Sequence, residues 1–406
     1  MRIENLAGNA SSTCTGCHAC FSVCPKSAIA MSANGDGFLY PKIDKSKCVG
    51  CGICEKVCPA ISPLKKESED TKAYAAIKRN EAVRLESSSG GIFTAIAEKV
   101  IEAGGVVFGA KFASDFSVVH GWTETADGLA DFRGSKYLQS VIGESYKECK
   151  RSLEAGREVL FSGTPCQVQG LKKYLGKEYG NLLTVDFICH GVPSPLLWQK
   201  YVDYRAKKNR ATRGEIVKTA FRRKDDGWKL YSRSFTFAND SEYRQPLTKD
   251  PYMQMFLRDV ALRESCYQCP CRGIARPSDI TLADFWGVQN VLPEMDDDKG
   301  TSFVISHSDK GKKLLFELQN CELKEIAVSD GAKFNSAIEK SPNKPKMRKD
   351  FYEDLEKLRF ERIIKKYATT PLYLRGYRFA LRCAMKGVKV LIRKENTTKL
   401  KKMLGK

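Results

Sequence analysis

Cysteine is the residue type whose spacing in this sequence most clearly predicts chemistry. Two runs, CTGCHACFSVCP (14–25) and CVGCGICEKVCP (48–59), share the pattern C-x2-C-x2-C-x3-C-P. Three thiolates spaced in this way come from one tight loop and wrap the face of an iron–sulfur cube. The fourth cysteine, on the helix that follows, turns away and binds the other cluster. The two runs therefore predict a pair of 4Fe–4S clusters.

Each predicted cluster takes three ligands from one run and one from the other. The first set is Cys14, Cys17, Cys20 and Cys58. The second set is Cys48, Cys51, Cys54 and Cys24. Zinc is the alternative, but zinc sites use two pairs of ligands and do not need a repeated run that ends in proline. Between the runs, SANGDGFLYPKID has Asn-Gly and Asp-Gly turn signals and predicts a β-hairpin.

A further group of cysteines lies far along the chain, in ESCYQCPCRGIARPSDITLADFWG (264–287). Cys266 and Cys269 form a C-x2-C pair that needs two more ligands, and Cys166 and Cys189 each follow an apolar strand candidate. Because the carboxyl ends of parallel strands share one edge of an α/β sheet, we expect Cys166 and Cys189 to lie close together. The four thiolates predict a third 4Fe–4S cluster, and a zinc site with the same ligands stays open.

The elements that must position these cysteines alternate between strands and helices after a polar linker. KAYAAIK and VVFGAKF predict strands, and SSSGGIFTAIAEKVIEAGG predicts a helix. EVLFSGTPCQVQGLKKYL and LLTVDFICHGVPSPLLWQKYVDYRAKK each predict a strand followed by a helix. The alternation predicts an α/β body with a largely parallel sheet. Three units are expected: a ferredoxin-like α+β two-cluster module at 1–65, a mixed α/β body at 70–335 and a basic helical tail at 336–406.

Composition limits the compartment and the class of protein. The chain has 406 residues, 42% of them apolar, and no signal-peptide pattern or apolar stretch near 20 residues is evident. We therefore expect a cytoplasmic protein, in which sixteen cysteines favour metal ligation over disulfides. The solitary Cys149, Cys321 and Cys383 are predicted to be small core residues.

The net charge of +20 is concentrated in the tail, where residues 340–406 hold 21 Lys and Arg against 6 Asp and Glu. Six cations share one face of a predicted helix: Arg375, Arg378, Arg382, Lys386, Lys389 and Arg393. This basic amphipathic pattern predicts that residues 371–406 contact the inner face of a membrane or an acidic protein partner. A helix packed on the body with a solvated charged face is the alternative. Nucleic acid is not an expected partner, because no nucleic-acid-binding motif is evident in the sequence.

Several ordered motifs together resemble the coenzyme F420 hydrogenase/dehydrogenase beta-subunit family. They are SSSGGIFTAIA, GSKYLQS, LFSGTPCQVQGLKKYL, VDFICHGVPSP, FRRKDDGW and ESCYQC with SDITLADFWG. The resemblance implies an oxidoreductase with FAD beside a 4Fe–4S cluster. Such a protein passes electrons between a hydride carrier, either coenzyme F420 or another reduced cofactor, and ferredoxin-like carriers. For some members the resemblance also implies a link to surface polysaccharide biosynthesis.

The resemblance assigns roles to particular residues. It gives the third cluster the ligands Cys166, Cys189, Cys266 and Cys269, and leaves Cys271 without a role. The implied flavin contacts are Ser88, Ser89, Gly90, Gly91, Ser135, Lys136, Gly163, Thr164 and Gln167. The serine- and glycine-rich loop also precedes a predicted helix, where free backbone N–H groups bind phosphate, although a plain turn explains it too.

Few side chains are candidates for acid–base chemistry. His190, next to Cys189, is the one histidine expected near the site, and it is the candidate for proton transfer. Arg222, Arg223 and Lys224 would suit the acidic tail of coenzyme F420, or they form a solvated loop. Two other functions stay open: a non-catalytic iron–sulfur relay subunit for a partner enzyme, and a reductase that acts directly on a sugar or nucleotide sugar.

Overall fold

A computed structural model describes residue 3, residues 13–64 and residues 71–369. The predicted basic helix at 371–393 and Cys383 lie outside the described residues, so the membrane or acidic-partner contact stays a prediction. In the described part of the chain, no helix combines the length and the apolar character needed to cross a membrane.

The N-terminal module consists of two short helices and the predicted hairpin. Helices α1 (Ala19–Val23) and α2 (Ile53–Lys56) carry the third cysteine of each run, and the fourth cysteine follows shortly after each helix ends. Strands β1 (Ile29–Ala33) and β2 (Leu39–Ile43) pair antiparallel between them. The prediction of a ferredoxin-like α+β module is confirmed.

The body is built on one eight-stranded sheet. Its strands are β3 (Lys72–Lys78), β4 (Val106–Phe112), β5 (Val118–Thr123), β6 (Val159–Ser162), β7 (Leu182–Phe187), β11 (Ile280–Asp284), β12 (Ser302–Ser306) and β13 (Cys321–Ile326). Their order across the sheet is β13, β3, β12, β11, β7, β6, β4 and β5. A second, antiparallel sheet contains β8 (Ile216–Arg223), β9 (Ser232–Phe237) and β10 (Glu242–Pro246).

The prediction of a largely parallel sheet is wrong at both edges. β4, β6, β7 and β11 run parallel, whereas β5, β12, β3 and β13 join through antiparallel pairings. Parallel neighbours need a long crossover, usually a helix, whereas a short loop returns the chain as an antiparallel neighbour. Only five residues separate β4 from β5, and the connection from β11 to β12 contains 3-10 turns without an α-helix.

Helices cover both faces of the large sheet, so the mixed α/β architecture is confirmed. One face packs against α4 (Ile92–Glu102), and the other packs against α5 (Ser145–Glu154) and α6 (Pro165–Leu175). The helices of the body are α3 (Glu81–Glu86), α4 (Ile92–Glu102), α5 (Ser145–Glu154), α6 (Pro165–Leu175), α7 (Pro195–Lys208), α8 (Pro251–Leu257), α9 (Asp309–Phe316), α10 (Val328–Ala332), α11 (Arg348–Lys357) and α12 (Phe360–Ile363).

The largest core joins the module, the body and the described part of the predicted tail. Phe38 of the module and Phe351 of α11 are both fully buried in the cluster that contains Trp198 of α7. The hairpin turn approaches α7 closely, because a Cβ atom on Gly37 would lie 2.4 Å from the Cβ of Leu196. The unit boundaries at 65 and 335 stay predictions, but side chains on both sides of each boundary share this core.

Removing the ring of Phe351 tests this packing. We expect Phe351→Ala to lower the free energy of unfolding by about 3–5 kcal/mol, because the side chain is 0% exposed and its loss leaves a cavity. Phe316→Ala is the matched control, since Phe316 is 66% exposed and should cost less than about 0.5 kcal/mol. Anaerobic denaturant unfolding followed by circular dichroism measures both. Equally small losses would contradict the packing of α11 on the body.

Candidate functional site

Two small cavities in the N-terminal module are lined by the two predicted cysteine sets. The first cavity, of about 20 Å³, is lined by Cys14, Cys17, Cys20 and Cys58. The second cavity, of about 30 Å³, is lined by Cys24, Cys48, Cys51 and Cys54. Each cavity therefore takes three thiols from one run and the fourth from the other run.

The backbone of each loop explains why its cysteines converge. Gly16 and His18 have φ values of +67° and +63°, and Gly50 and Gly52 have +68° and +70°. Residues in the left-handed backbone conformation between successive cysteines curl the chain, and glycine adopts this conformation without steric cost. His18 is the exception, and its burial lowers the pKa of the imidazole to about 4, so the ring is neutral at neutral pH.

A third cavity, of about 40 Å³, brings together cysteines from three distant segments. Cys166 lies in the first turn of α6, Cys189 follows β7, and Cys266 lies in a 3-10 turn that Cys269 ends. All four line the cavity, and so does Cys271. The four cysteines that the sequence analysis grouped together, Cys166, Cys189, Cys266 and Cys269, thus line a single cavity. Cys271 lines the same cavity.

Protonation of these thiols depends strongly on their surroundings. Desolvation raises the pKa of Cys166 to about 11 and of Cys266 to about 12, and it also raises the pKa of Cys189. Hydrogen bonds from the side chain and backbone of Cys271 lower the pKa of Cys269. Three of the four thiols are therefore protonated at neutral pH, and they must release protons when they bind a cation.

A 4Fe–4S cluster and a single zinc ion place their sulfur ligands differently. Among the described residues, no group of three or more His, Cys, Asp or Glu side chains is arranged to hold one metal ion. Zinc would need its sulfur ligands about 2.3 Å from a common centre. In a 4Fe–4S cube each thiolate binds a different iron atom, so the ligands surround a larger body.

A much larger cavity, of about 600 Å³, adjoins the third cysteine cavity. Eight of the nine predicted flavin contacts line it: Ser88, Ser89, Gly91, Ser135, Lys136, Gly163, Thr164 and Gln167. The two cavities share six wall residues: Ser140, Thr164, Gln167, Cys189, Gly191 and Val192. A ligand in the large cavity would therefore lie against the thiol of Cys189 or its immediate neighbours.

Gly90 is the predicted contact that does not line the large cavity. A Cβ atom at this position would lie 2.3 Å from the carbonyl oxygen of Ala76 on β3. The N–H of Gly90 donates to Ser302 Oγ of β12 at 3.0 Å. The missing side chain at Gly90 therefore allows the loop to pack on the sheet, which positions the neighbouring serines.

Polar side chains form a continuous hydrogen-bonded wall between the two cavities. Gln167 and Thr164 form a capping box at the start of α6, with Thr164 N and Oγ1 both donating to Gln167 Oε1, at 2.9 and 3.0 Å. Gln167 Nε2 donates to Ser140 Oγ at 2.9 Å, and Thr164 Oγ1 lies 3.1 Å from Cys166 Sγ. The wall thus connects a cysteine of the third set with the lining of the large cavity.

His120 on β5 is a cavity residue that the sequence analysis missed. Its Nδ1 lies 3.0 Å from Ser140 Oγ and its Nε2 lies 3.1 Å from the carbonyl oxygen of Ser162. Burial lowers the pKa of His120 to about 4, so the ring is neutral, with Nε2 as the donor. The expectation that His190 is the one histidine near the site is therefore wrong. The only sequence signal was a polar residue inside an apolar strand.

His190 also lines the large cavity, where Asp259 fixes its ring. The two side chains are joined by a hydrogen bond of 2.6 Å between Nε2 and Asp259 Oδ1. Since a carboxylate only accepts, Nε2 carries the proton, which leaves Nδ1 as an acceptor in the neutral ring. This tautomer suits the predicted role in proton transfer, which stays a prediction.

Of the three cations in FRRKDDGW, only Arg222 lines the large cavity, and it pairs with Asp284. Arg223 pairs with Asp225 near the surface. Lys224 Nζ donates to three backbone carbonyls, including that of Ser89 at 2.7 Å. Desolvation lowers the pKa of Lys224 to about 7. Lys224 therefore holds the backbone of the serine-rich loop and does not line the large cavity.

Helix α6 connects the third cysteine cavity to the first. Cys166 lies in its first turn, and Gly170 lies about 6 Å further along the axis. A Cβ atom on Gly170 would lie 2.8 Å from Tyr146 Oη, 2.9 Å from the Cβ of Cys17 and 3.0 Å from the Sγ of Cys17. The same helix therefore contacts cysteines of two sets within about one turn.

Comparisons with known proteins agree with the motifs. Residues 156–329 match the family model for the C-terminal part of the coenzyme F420 hydrogenase/dehydrogenase beta subunit. Residues 13–61 match the model of the 4Fe–4S dicluster domain. The resemblance predicted from the sequence is confirmed. The chain contains a 4Fe–4S dicluster domain and is an iron–sulfur electron-transfer protein related to that beta subunit.

Among solved structures, the chain is similar to a chain of the xenon-derivatized F420-reducing NiFe hydrogenase complex from Methanosarcina barkeri. The two share 17% identity, with 64% of this chain and 83% of that chain covered, at a TM-score of 0.43. No curated protein matches the chain.

Adding one methyl group to α6 tests the contact with the first cavity. We expect Gly170→Ala to remove about four iron atoms, because Cys17 must move away from its cluster position. Alanine favours a helix, so the loss cannot come from a weakened α6. The control is Gly180→Ala, since nothing lies within 4 Å of a Cβ atom there. Iron analysis after anaerobic purification measures both, and full iron content in Gly170→Ala would contradict the contact.

Proposed function

We propose that this protein is an iron–sulfur flavoprotein oxidoreductase with three 4Fe–4S clusters. It would exchange a hydride with a carrier in the large cavity and single electrons with a carrier protein. The observation that carries the proposal is the wall that the large cavity shares with the third cysteine cavity, including Cys189. The matched family model supports it, since its description names a coenzyme F420 hydrogenase/dehydrogenase subunit.

FAD is the group that suits the large cavity in this proposal. When bound, a flavin converts an electron pair from a hydride into single electrons. The serine-rich loop precedes α4, where free backbone N–H groups and the helix dipole favour a phosphate. Ser88 Oγ and Ser135 Oγ lie 2.7 Å apart, so the loop and the GSKYLQS segment form one polar surface.

Lys136 adds a cationic group to this surface. Its Nζ donates to the carbonyl oxygens of Arg133 and Gly134, at 3.1 and 3.3 Å. Desolvation lowers the pKa of Lys136 to about 7, so the ammonium group is only partly protonated at neutral pH. A phosphate nearby would favour the charged form, because an opposite charge stabilises the ammonium group.

His190 would move a proton when the hydride carrier changes its protonation state. Asp259 holds the ring at the cavity wall and leaves Nδ1 as the nitrogen that would accept the proton. His120 does not suit this role, because it is buried and both of its ring nitrogens have hydrogen-bond partners.

The second cysteine cavity is the proposed outlet for single electrons. Cys48 and Cys51 are exposed, and Val49 beside them is 64% exposed. Five exposed lysines belong to the module: Lys26, Lys42, Lys45, Lys47 and Lys56. Residues 13–64 contain three acidic residues, Asp36, Asp44 and Glu55, so the positive charge is in excess. An acidic single-electron carrier, such as a ferredoxin, would complement this surface.

Counting cofactors tests the core of the proposal. Anaerobically purified protein should contain about twelve iron atoms and one FAD, at four irons per cluster. Cys166→Ser should lower the count to about eight, because it removes one ligand of the third set. Cys149→Ser is the matched control, since Cys149 is fully buried on α5 without lining any of the three cysteine cavities. About eight irons in the unchanged protein would exclude the third cluster.

The same preparation separates the proposal from its alternatives. Iron without flavin would support a relay subunit that serves a partner enzyme. Bleaching of the flavin absorbance by NADH, NADPH or reduced coenzyme F420 would identify the hydride donor. Oxidation of the reduced protein by a nucleotide sugar would instead support direct reduction of such a substrate and the link to polysaccharide biosynthesis that the family resemblance implies.

Charge reversal tests the outlet. We expect Lys26→Glu combined with Lys45→Glu to slow the reduction of an acidic ferredoxin by about tenfold and to weaken its salt dependence, because rim charges steer association. The control combines Lys313→Glu with Lys349→Glu on α9 and α11, which changes the net charge equally at exposed positions. Stopped-flow kinetics across a salt series measures the rates. If both double variants reduced the ferredoxin at equal rates and with equal salt dependence, the proposal that electrons leave through this surface would be wrong.

A further inference from the structure

A fully buried arginine lies between the first and third cysteine cavities. Arg263 is 0% exposed and takes part in none of the ion pairs among the described residues. The adjacent carboxylate, Glu264, pairs with Lys344 and Arg348 instead. In the part of the chain that the structure describes, no carboxylate therefore balances the positive charge of Arg263.

Neutral acceptors satisfy the N–H groups of Arg263 but not its charge. Nε donates to the carbonyl oxygen of Cys14 at 2.8 Å, and Nη2 donates to that of Leu39 at 3.0 Å. Nη1 donates to Gln139 Oε1 at 2.8 Å. The guanidinium carbon lies 4.1 Å from the centre of the Tyr40 ring. This arrangement fixes the guanidinium group in one position.

The thiol of Cys14 lies beside the guanidinium group of Arg263. Nη2 lies 3.6 Å from Cys14 Sγ, on the side of the first cavity. Gln139, the partner of Nη1, lines the third cavity, and its own Nε2 donates to the carbonyl oxygen of Thr15 at 3.0 Å. The guanidinium group therefore approaches a cysteine of the first set directly and reaches the wall of the third cavity through Gln139.

The backbone of Arg263 also belongs to the third set. Its carbonyl oxygen accepts from the N–H of Cys266 at 2.9 Å, and its N–H donates to the carbonyl oxygen of Val192 at 3.0 Å. Arg263 is thereby fixed between the loop that follows Cys189 and the turn that carries Cys266.

An uncompensated charge in the interior is strongly unfavourable, so buried cations are normally paired. We infer that Arg263 is a shared counter-cation for the thiolate-bound clusters of the first and third cavities. Each cluster gains negative charge when it takes up an electron, and the nearby cation stabilises that reduced state. Arg263 is a positioning residue that sets reduction potential, because it touches neither substrate nor hydride carrier.

The inference rests on the proposed function only for the third cluster, because the first belongs to the dicluster domain. The two can therefore fail separately. Iron and flavin counts on the unchanged protein report on the proposed function. The reduction potential of the cluster in the first cavity reports on Arg263, whatever those counts show.

The test compares Arg263→Gln with Arg263→Lys in the full chain. The glutamine variant removes the charge, and the lysine variant keeps it with a different hydrogen-bonding geometry. Arg233→Gln is the control, since Arg233 is also 0% exposed but hydrogen-bonds to Ala220 and Thr219 on β8. Iron counts and redox titrations followed by electron paramagnetic resonance are measured for all of them.

We expect Arg263→Gln either to lose about four or more irons or to shift one cluster to a lower potential by at least a tenfold change in its reduction equilibrium, about 59 mV for one electron. Arg263→Lys should recover most of that loss, and Arg233→Gln should match the unchanged protein in both measurements. The inference is overturned if Arg263→Gln keeps its full iron and unchanged potentials. It is also overturned if Arg263→Lys is as impaired as Arg263→Gln, since geometry and not charge would then matter.

Discussion

The contact between Cys17 and Gly170 is the constraint on which the arrangement of the cysteine cavities depends. A side chain at position 170 would occupy the space of the Cys17 thiol, so the first cavity can lie against α6 only because glycine is there. Cys166, one turn earlier on the same helix, contributes to the third cavity. A single rigid helix thereby sets the separation of the two cysteine sets.

Local structure could be predicted from the sequence with good accuracy, whereas the order of the strands could not. KAYAAIK and VVFGAKF are strands with the predicted bounds, and Pro165–Leu175 is the helix that follows the Gly-Thr-Pro turn. These elements depend on residue pattern and capping, which are local. The antiparallel edges depend on which distant segments pair with β11 and β3, and nothing in the alternation of strands and helices specifies that.

The same distinction holds for the site. The cysteine sets could be predicted because spacing within a motif encodes the ligand geometry, and the pairing of Cys166 with Cys189 follows from a rule about parallel strands. His120 and Arg263 could not be predicted, because their importance arises from what the fold places beside them. Gly90 was assigned to the cavity from its motif, but its role is the close approach to β3. Sequence patterns grouped the cysteines into sets, whereas only tertiary contacts showed which residues surround those sets.

The two cysteine cavities of the module differ in exposure, and this difference affects how the protein is damaged by oxidation in air. Cys14 and Cys17 are buried, whereas Cys48 and Cys51 are exposed. Oxidative damage to thiolates follows their accessibility. Dioxygen would therefore reach the cluster of the second cavity first and spare the one behind it. If the second cavity is the outlet proposed above, a protein damaged in this way would lose its route to the single-electron carrier.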